Sequence, residues 1–535
     1  MLERVIENWL DKANERSFQK PFCYMLSAKG YTVIHLTRHT GMELGKDVIA
    51  LAPDGTPCAY QLKGAKNGKI SLKQWNNEIS RQVFNLVTGK IVHPSINSSK
   101  NHRSYLVTNG ELEEEVSRAI DDMNRKFVDN GQPKYKLEVI VRGQLFDWAK
   151  DLGTNLWPTE LVDIKTLLEL FLQEGNGILP KGKLSSLFEA TFPFEGKRPS
   201  KAHCGRVIAS AAVLNSIAIS SFSNSENYVA EIEAWILYLS YLLAFVERWN
   251  LPAEILKKEF GIVIDFIYNS LTELCDELRK REHFVEGDPF TEPFNFYRVR
   301  LTCLIALMSI YALWRQNKKI VESEVDDFIR NFCLKNKSKL LLWGEAAIPQ
   351  FLAFYWYFRK IDSTSAPDSL LGSLIDFICK QNNPGSKNSL ANPYFEAVDI
   401  LPHILGIADE PLEDSFDGNS YSLEGLVHLF VRRNFKQKMK LIWPDITRIC
   451  NRVFKPQHKW HFYRWRNQDG IELAQYPKPK QDWEKLKAIA HESNGECIPP
   501  SIKKYPILVP LFLCFYPHRT NSEILRWLDT KLEEI

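Results

Sequence analysis

The hydrophobic pattern of residues 1–150 alternates between helical and strand-like segments. Segments with apolar positions three or four residues apart are predicted as helices, and short β-branched or apolar runs beside turn residues are predicted as strands. The predicted helices are Leu2–Arg16, Phe18–Lys29, Ser71–Val87 and Glu111–Phe127, and the predicted strands are Tyr31–Leu36, Asp47–Ala52, Pro57–Lys63, Tyr105–Thr108 and Leu137–Arg142. From the second of these helices onward, the order α-β-β-β-α-β-α-β predicts an α/β domain with a mixed central sheet flanked by helices.

A turn between the second and third predicted strands forms a hairpin. Residues 53–55 read Pro-Asp-Gly, which is typical of a tight turn. Because side chains alternate between the two faces of a strand, Gln61 and Lys63 point to the same side, and Asp47 lies on the adjacent strand. The hairpin is therefore expected to bring a carboxylate, an amide and an ammonium group together.

Beyond residue 157 the pattern becomes almost entirely helical. A short helix is predicted over Thr159–Gln173, and a stretch rich in Gly, Pro and Lys follows at Glu174–Lys183. Long apolar stripes with few strand signals then continue to the C-terminus. Since a single core rarely exceeds roughly 250–300 residues, we expect an α/β domain over residues 1–157, a linker over 158–183 and a large all-α region over 184–535.

The apolar runs in this region are too short for membrane spans. The three most apolar runs fall below the ~18–20 residues that cross a bilayer: Ala234–Val246, Leu301–Leu313 and Pro506–Tyr516. The first residues have no apolar signal-peptide core. The ten cysteines include no Cys-x-x-Cys pair. We therefore expect buried core helices, reduced thiols, no membrane segment and a cytoplasmic location.

Charge is informative only locally, because the net charge of the whole chain is +3. From Gln61 to Ser104 there are eight Lys and Arg residues and one acid, a net charge of +7 over 44 residues. Such a run is either a solvated basic face or a surface that faces phosphates. For the run Arg432–Lys440 a solvated helix face is favoured over a surface that binds nucleic acid or an acidic partner. In His458–Arg466, basic and aromatic residues alternate. An amphipathic segment that buries Trp460 and Trp465 with its cations outward is favoured over a surface that stacks bases.

The residue types at the hairpin suit metal-dependent hydrolysis of a phosphodiester. Asp47 would supply a hard oxygen ligand for Mg²⁺ or Mn²⁺, and Mg²⁺ keeps several waters and takes few protein carboxylates. The ion would polarise a phosphoryl oxygen and lower the pKa of a bound water. Gln61 would offer its amide oxygen to the ion or hold that water. Lys63 would orient the water and stabilise charge on the phosphate.

The N-terminal segment resembles the PD-(D/E)xK nuclease superfamily, in the Mrr-type branch where Gln replaces the second acid and gives Asp…Gln-x-Lys. Four features carry the resemblance over residues 15–150. They are the Asp47, Gln61 and Lys63 pattern, a helix with Phe18-Gln19 that runs to Gly30-Tyr31, the Gly-x-Asp at Gly45–Asp47, and the corner Val107-Thr108-Asn109-Gly110 before an acid-led helix. The chain departs from the family at Gln19, where Glu is common.

The resemblance implies a restriction-endonuclease-like domain that cleaves DNA with Mg²⁺ or Mn²⁺, in a bacterial restriction or anti-phage defence factor. Asp47 and Gln61 would bind the metal, with help from Gln19 or from Glu43, and Lys63 would assist catalysis. Lys66, Lys73 and Arg81 would contact the nucleic-acid backbone.

Two alternatives remain open at this point. One is a degenerate nuclease fold that recruits a partner, which the amides at Gln19 and Gln61 favour. The other is an effector that cleaves RNA with the same site. A homodimer is plausible, because nucleases that cut both strands often act in pairs. The helical region is expected to sense a signal, to bind a protein partner or to assemble.

Overall fold

The computed structural model describes residues 2–36, 46–65, 67–91, 93, 96, 101–153, 157, 160–281, 294–386, 389–408 and 417–534. The chain divides into two compact units, Met1–Ser270 and Leu271–Ile535. Each unit has its own buried apolar core.

A five-stranded mixed sheet forms the centre of the first unit. Its strands are β1 (Thr32–Leu36), β2 (Val48–Leu51), β3 (Pro57–Lys63), β5 (Arg103–Thr108) and β7 (Leu137–Ile140), in the order β1-β2-β3-β5-β7. Strands β1, β2 and β3 pair antiparallel, and β3, β5 and β7 pair parallel. Two short strands, β4 (Lys69–Ile70) and β6 (Glu111–Leu112), pair separately. The sequence therefore predicted the positions of the five main strands along the chain and missed the two short ones.

Helices cover both faces of this sheet and continue to the end of the unit. They are α1 (Leu2–Lys12), α2 (Glu15–Ala28), α3 (Leu72–Gln74), α4 (Ser80–Thr88), α5 (Glu114–Asp129), α6 (Arg142–Gly153), α7 (Leu161–Phe171), α8 (Lys181–Thr191), α9 (Lys201–Ala218), α10 (Ser220–Asn224), α11 (Tyr228–Trp249) and α12 (Ala253–Lys280). The helix predicted over Ser71–Val87 is interrupted by a π-helical turn, Trp75–Ile79. Its apolar stripe is buried as predicted, apart from Leu72.

The two faces of the sheet have different neighbours. On one face, Ala59 and Leu106 belong to an apolar core with Val83 and Leu86 of α4 and Ile120 of α5. On the other face, the ring of Tyr60 meets Phe22 of α2 edge-on at 5.3 Å and stacks on Tyr105 at 4.9 Å. Helix α2 therefore covers the face of β3 opposite to α4.

Helix α2 also packs against later helices of the same unit. Tyr24 stacks on Trp235 of α11 at 6.1 Å and meets Phe266 of α12 edge-on at 5.9 Å. Lys20 Nζ lies 3.1 Å from Glu231 Oε2, and Ser270 Oγ donates a hydrogen bond of 2.8 Å to the same oxygen. Side-chain exposure is 11% for Lys20 and 1% for Glu231. A buried ion pair thus joins α2 to α11 and α12.

The predicted linker, residues 158–183, lies inside the first unit. It contains α7 and the beginning of α8, and helices as far as Ser270 belong to the same compact unit as the sheet. The boundary between the two units falls at 270/271, within α12.

The second unit is mainly helical. Its helices are α13 (Phe294–Asn317), α14 (Ser323–Asn336), α15 (Ile348–Ile361), α16 (Ala366–Gln381), α17 (Ala397–Ile404), α18 (Leu423–Arg432), α19 (Lys436–Ile446), α20 (Trp483–His491), α21 (Pro500–Lys503), α22 (Leu508–Phe515) and α23 (Ser522–Glu533). The all-α prediction is wrong in one place. A three-stranded sheet forms in the order β10-β9-β8 from β8 (Asn419–Ser420), β9 (Cys450–Pro456) and β10 (Gly470–Gln475).

Among the described residues, two helices are long and apolar enough to cross a membrane, by length and composition alone. They are Tyr228–Trp249 and Phe296–Asn317, and 89% and 72% of their most apolar windows are buried inside the protein. Core helices are buried in this way, so the two helices are only weak evidence for a membrane span. All ten cysteines are free thiols.

Candidate active site

The hairpin of β2 and β3 brings Asp47 and Gln61 into direct contact. Asp47 immediately precedes β2, and its main-chain N–H donates a hydrogen bond of 2.8 Å to the carbonyl oxygen of Tyr60. Asp47 Oδ2 accepts a hydrogen bond of 2.6 Å from Gln61 Nε2 and one of 2.7 Å from the main-chain N–H of Leu62. Asp47 is 9% exposed and Gln61 is 2% exposed. The predicted pairing of a carboxylate with an amide is therefore present and nearly buried.

Helix α2 contributes Gln19, another residue that the sequence predicted for the site. Gln19 Nε2 donates a hydrogen bond of 3.2 Å to the carbonyl oxygen of Asp47, and Gln19 is as buried as Asp47. Gln19 thus holds the main chain at Asp47 and not its carboxylate. Gln19 therefore contributes a neutral amide and not a carboxylate to this cluster.

A carboxylate that the sequence did not single out lies beside Lys63. Lys63 Nζ is 3.3 Å from Glu15 Oε2, and the two side chains are 15% and 26% exposed. Glu15 is the first residue of α2, whose N-cap is Asn14. Glu15 precedes Gln19 by four residues, so both lie on one face of the helix. Asn14 is a typical helix N-cap, and recognising it would have moved Glu15 from the end of the predicted helix Leu2–Arg16 to the start of α2.

One buried oxygen of the site has no hydrogen-bond donor. Gln61 Oε1 is buried and unpaired among the described residues, because the amide nitrogen faces Asp47. A buried acceptor without a partner costs on the order of 1–3 kcal/mol. No group of three or more His, Cys, Asp or Glu residues in the described ranges could hold a metal ion. Mg²⁺, however, binds through one or two carboxylates and several waters, so the Asp47 carboxylate suits such an ion. Gln61 Oε1 would join it as a ligand if the amide turned its oxygen, instead of Nε2, toward Asp47.

A buried lysine adjoins the carboxylate in the chain. Lys46 is 4% exposed, and burial lowers its pKa to about 8. A Cβ atom at Gly89, just after α4, would lie 3.1 Å from Lys46 Nζ. Lys46 therefore reaches the C-terminal end of α4, where the helix dipole favours a cation.

The corner that carries part of the family resemblance has a structural task. Asn109 Oδ1 accepts a hydrogen bond of 2.9 Å from the main-chain N–H of Ala65, and Asn109 Nδ2 donates two of 2.7 Å to the carbonyl oxygens of Leu10 and Ala13. A Cβ atom at Gly110 would lie 2.3 Å from Ala65 Cβ. The corner therefore fixes the chain after Lys63 against the end of α1.

The residues predicted to contact nucleic acid lie on the surface, where the structure describes them. Lys73 and Arg81 are both exposed, on α3 and α4. Glu43 and Lys66 lie outside the described residues.

Two later segments, Arg432–Lys440 and His458–Arg466, differ from the sequence predictions. Arg432 and Arg433 are not on a solvated helix face, because both bind the carboxylates of Asp529 and Glu533. In the second segment, Phe462 and Tyr463 are buried, whereas Trp460 and Trp465 are half-buried. The guanidinium groups of Arg464 and Arg466 lie 5.2 and 5.4 Å from the ring centroids of Trp460 and Trp465.

The structure defines the architecture of the chain: a mixed five-stranded sheet flanked by helices, followed by a helical region. Comparison of the chain with models of protein families, with characterised proteins and with solved structures finds no match.

Proposed function

We propose that the first unit is a metal-dependent nuclease that hydrolyses phosphodiester bonds in DNA. The observation that carries the proposal is the buried contact of Asp47 with Gln61, which leaves Gln61 Oε1 without a donor beside a carboxylate. The resemblance to the Mrr-type branch supports the choice of DNA and a role in restriction or anti-phage defence.

In this proposal Asp47 would hold a Mg²⁺ or Mn²⁺ ion through its carboxylate, and Gln61 would add Oε1 after rotation of its amide. The ion would supply Lewis-acid stabilisation of the phosphate and a more acidic bound water. Gln19 keeps the main chain of Asp47 in place through the hydrogen bond to its carbonyl oxygen. The Leu62 N–H orients the carboxylate.

Lys63 provides the positive charge of the site. It follows Gln61 by two residues on β3, so both side chains leave the same face of the strand. Glu15 restrains the Lys63 ammonium through their ion pair. With the phosphate bound, Lys63 would orient the attacking water and stabilise the charge that develops on the phosphoryl oxygens. Lys73 and Arg81 would contact the backbone of the nucleic acid, which makes binding sensitive to salt.

The test is a cleavage assay with linear DNA, plasmid DNA and single-stranded RNA, in Mg²⁺ and in Mn²⁺. Wild-type protein is compared with Asp47→Ala and Lys63→Ala, and Lys90→Ala is the exposed control in the same basic segment. We expect metal-dependent cleavage of DNA that the control retains and both site variants lose. Cleavage of RNA alone would favour the RNA-cleaving effector.

One observation favours a second candidate, a degenerate scaffold that recruits a partner. Gln61 Nε2 donates a hydrogen bond to Asp47, so the carboxylate already has a partner within the site. Gln19 and Gln61 are both neutral. Thermal melting with 10 mM Mg²⁺ or Mn²⁺ separates the two. A metal-binding site adds RT ln(1 + [L]/Kd) to the unfolding free energy, and Asp47→Ala removes that gain. A scaffold shows no gain in either protein.

A further inference from the structure

The second unit carries a basic segment that the proposed active site does not use. Between residues 436 and 487 there are thirteen Lys and Arg and five Asp and Glu, a net charge of +8 over 52 residues. The whole chain has only +3. Two of the five acids, Asp469 and Glu472, lie beside Arg464 and Arg452 of the same segment. Most of the excess charge is therefore on lysines.

The structure places two sets of these lysines side by side. Lys436, Lys440 and Trp443 are four and three residues apart, so they follow one face of α19. Trp443 Nε1 donates a hydrogen bond of 3.1 Å to the carbonyl oxygen of Lys478. This bond fixes the extended segment 476–480 beside that face of the helix. The Lys436 ammonium also lies 5.9 Å from the ring centroid of Trp483 at the start of α20.

We call Lys436, Lys440, Tyr476, Lys478 and Lys480 the α19 lysine surface. Its four lysines are exposed, and none of them forms an ion pair with a residue in the described part of the chain. Tyr476 is 58% exposed, so its ring is open to stacking by a base.

The segment 476–480 reads Tyr-Pro-Lys-Pro-Lys. Proline fixes its own φ and restricts the residue before it to extended backbone. The two lysines are therefore presented at a fixed spacing, and little backbone entropy is lost when a ligand binds them. An extended array of cations with an exposed ring matches an extended polyanion that carries rings.

We propose that the α19 lysine surface binds a single strand of nucleic acid, with phosphates on the lysines and a base stacked on Tyr476. Cationic grooves with aromatic side chains are how proteins hold single strands, because every base has a face that can stack. The surface would act in addition to the proposed active site, and its binding does not require cleavage.

A membrane surface is the less suitable partner. Binding in the plane of a bilayer needs an apolar helix face next to the charged one. Met439 and Ile446 of α19 are buried in the protein, and Leu441, 78% exposed, is the large apolar side chain that the helix leaves open. One leucine does not form such a face.

The test measures binding of the full chain to a fluorescein-labelled 20-nucleotide oligothymidylate by anisotropy. EDTA is present, so that cleavage does not contribute, and a 20-base-pair duplex and anionic phosphatidylserine vesicles are the other probes. The variants are Lys436→Gln/Lys440→Gln, Lys478→Gln/Lys480→Gln and Tyr476→Ala. Lys318→Gln/Lys319→Gln is the control, because it removes the same charge from exposed lysines of the same unit. Thermal melting checks that each variant is folded.

We expect each surface pair to weaken binding of the oligonucleotide about tenfold or more at 100 mM salt. Each should also lower the slope of log K against log salt by about 1.4, since a single strand contributes roughly 0.7 per phosphate contact. Tyr476→Ala should weaken the single strand at least about fivefold and the duplex less. The control should bind like the wild type. The proposal is overturned if both surface pairs bind like the control, or if the vesicles bind and the oligonucleotide does not.

Discussion

Two buried carboxylates, Asp529 in the second unit and Asp47 in the first, differ in the groups that surround them. Asp529 is fully buried and accepts hydrogen bonds from Trp356, Arg359, Arg432 and Arg433 at 2.6 to 3.0 Å. The same three arginines also bind Glu533. The hydrogen bonds to Asp47 within the described part of the chain include one from a neutral amide, Gln61, and one from a main-chain N–H. The oxygen of that amide has no donor among the described residues.

The difference separates a structural cluster from a candidate reaction site. Around Asp529, cations surround the carboxylate and a ligand would have to displace them. Around Asp47, an orphaned acceptor leaves hydrogen-bonding capacity that a metal ion or water would use. The composition of a cluster does not show this contrast, because both contain acids and bases. The pairing of individual atoms does.

The largest expected effect is on the activity of the candidate site around Asp47. Asp47→Asn keeps the shape of the side chain and removes its charge, so we expect metal-dependent DNA cleavage to fall by about 10³-fold, corresponding to several kcal/mol of Lewis-acid stabilisation. The initial rate of plasmid nicking measures the loss. The unfolding free energy, from urea titration, should change much less than in Asp529→Asn. A variant that still nicks plasmid at the wild-type rate would remove Asp47 from the site.

The matching change in the second cluster should affect stability instead. Asp529→Asn leaves three guanidinium groups around a neutral side chain, and breaking a buried ion pair costs about 3–5 kcal/mol. The midpoint of urea unfolding measures it. Glu533→Gln is the control, since Glu533 is 39% exposed and should matter less. An equally small effect of both changes would contradict the structural interpretation.

A third carboxylate, Glu345, sharpens the contrast, because neutral groups surround it. Its oxygens accept hydrogen bonds from Asn382 Nδ2 and the main-chain N–H of Tyr421, and burial raises the pKa of Glu345 to about 7. The native state then retains a proton that the unfolded chain, with its ordinary pKa of 4.5, has released. The stabilisation is fully present below pH 4.5 and is lost as the pH rises to 7.

This loss should amount to on the order of 3 kcal/mol. Urea titrations at pH 5 and pH 7.5 measure it, with Glu345→Gln as the variant that stays neutral. We expect the Gln variant to lose less stability than the wild type over this interval. Identical pH dependence in the two proteins would show that Glu345 does not titrate there.

The smallest expected effect is a gain in metal affinity. Gln61→Glu would place a second carboxylate beside Asp47. We expect Mn²⁺ to bind about tenfold more tightly, which corresponds to ~1.4 kcal/mol, and isothermal titration calorimetry measures it. Gln74→Glu on α3 adds the same charge away from the hairpin and should leave the affinity unchanged. Unchanged Mn²⁺ affinity in the Gln61 variant would place the metal elsewhere.

The sequence predicted the hairpin and the contact between Asp47 and Gln61, because both depend on local patterns. The turn at residues 53–55 sets the pairing of β2 and β3, and the period of two places Gln61 and Lys63 on one side. Glu15 was missed because it stands at a helix boundary, and boundaries are the least certain part of such predictions. The π-helical turn at Trp75–Ile79 has no signal in the apolar spacing on which the helix prediction depends.

The second unit was less predictable, since its distinctive contacts are distant in the chain. Arg432 and Asp529 are 97 residues apart, so a basic run gave no sign of its acidic partner. Strands β9 and β10 lie in a segment rich in basic and aromatic residues, and β10 is exposed along its whole length. It therefore lacks the alternation of buried and exposed positions that identifies a strand.

Helix α2 belongs to two cores at once, and this shared helix limits how the protein can change by recombination. One side of it supports Asp47, and another is tied to α11 and α12 by Lys20, Glu231 and Ser270. Recombination at the predicted linker, residues 158–183, would join the sheet to helices of another protein. Those helices would lack Glu231, the partner of the buried Lys20. Residues 1–270 are therefore expected to be inherited as a single module.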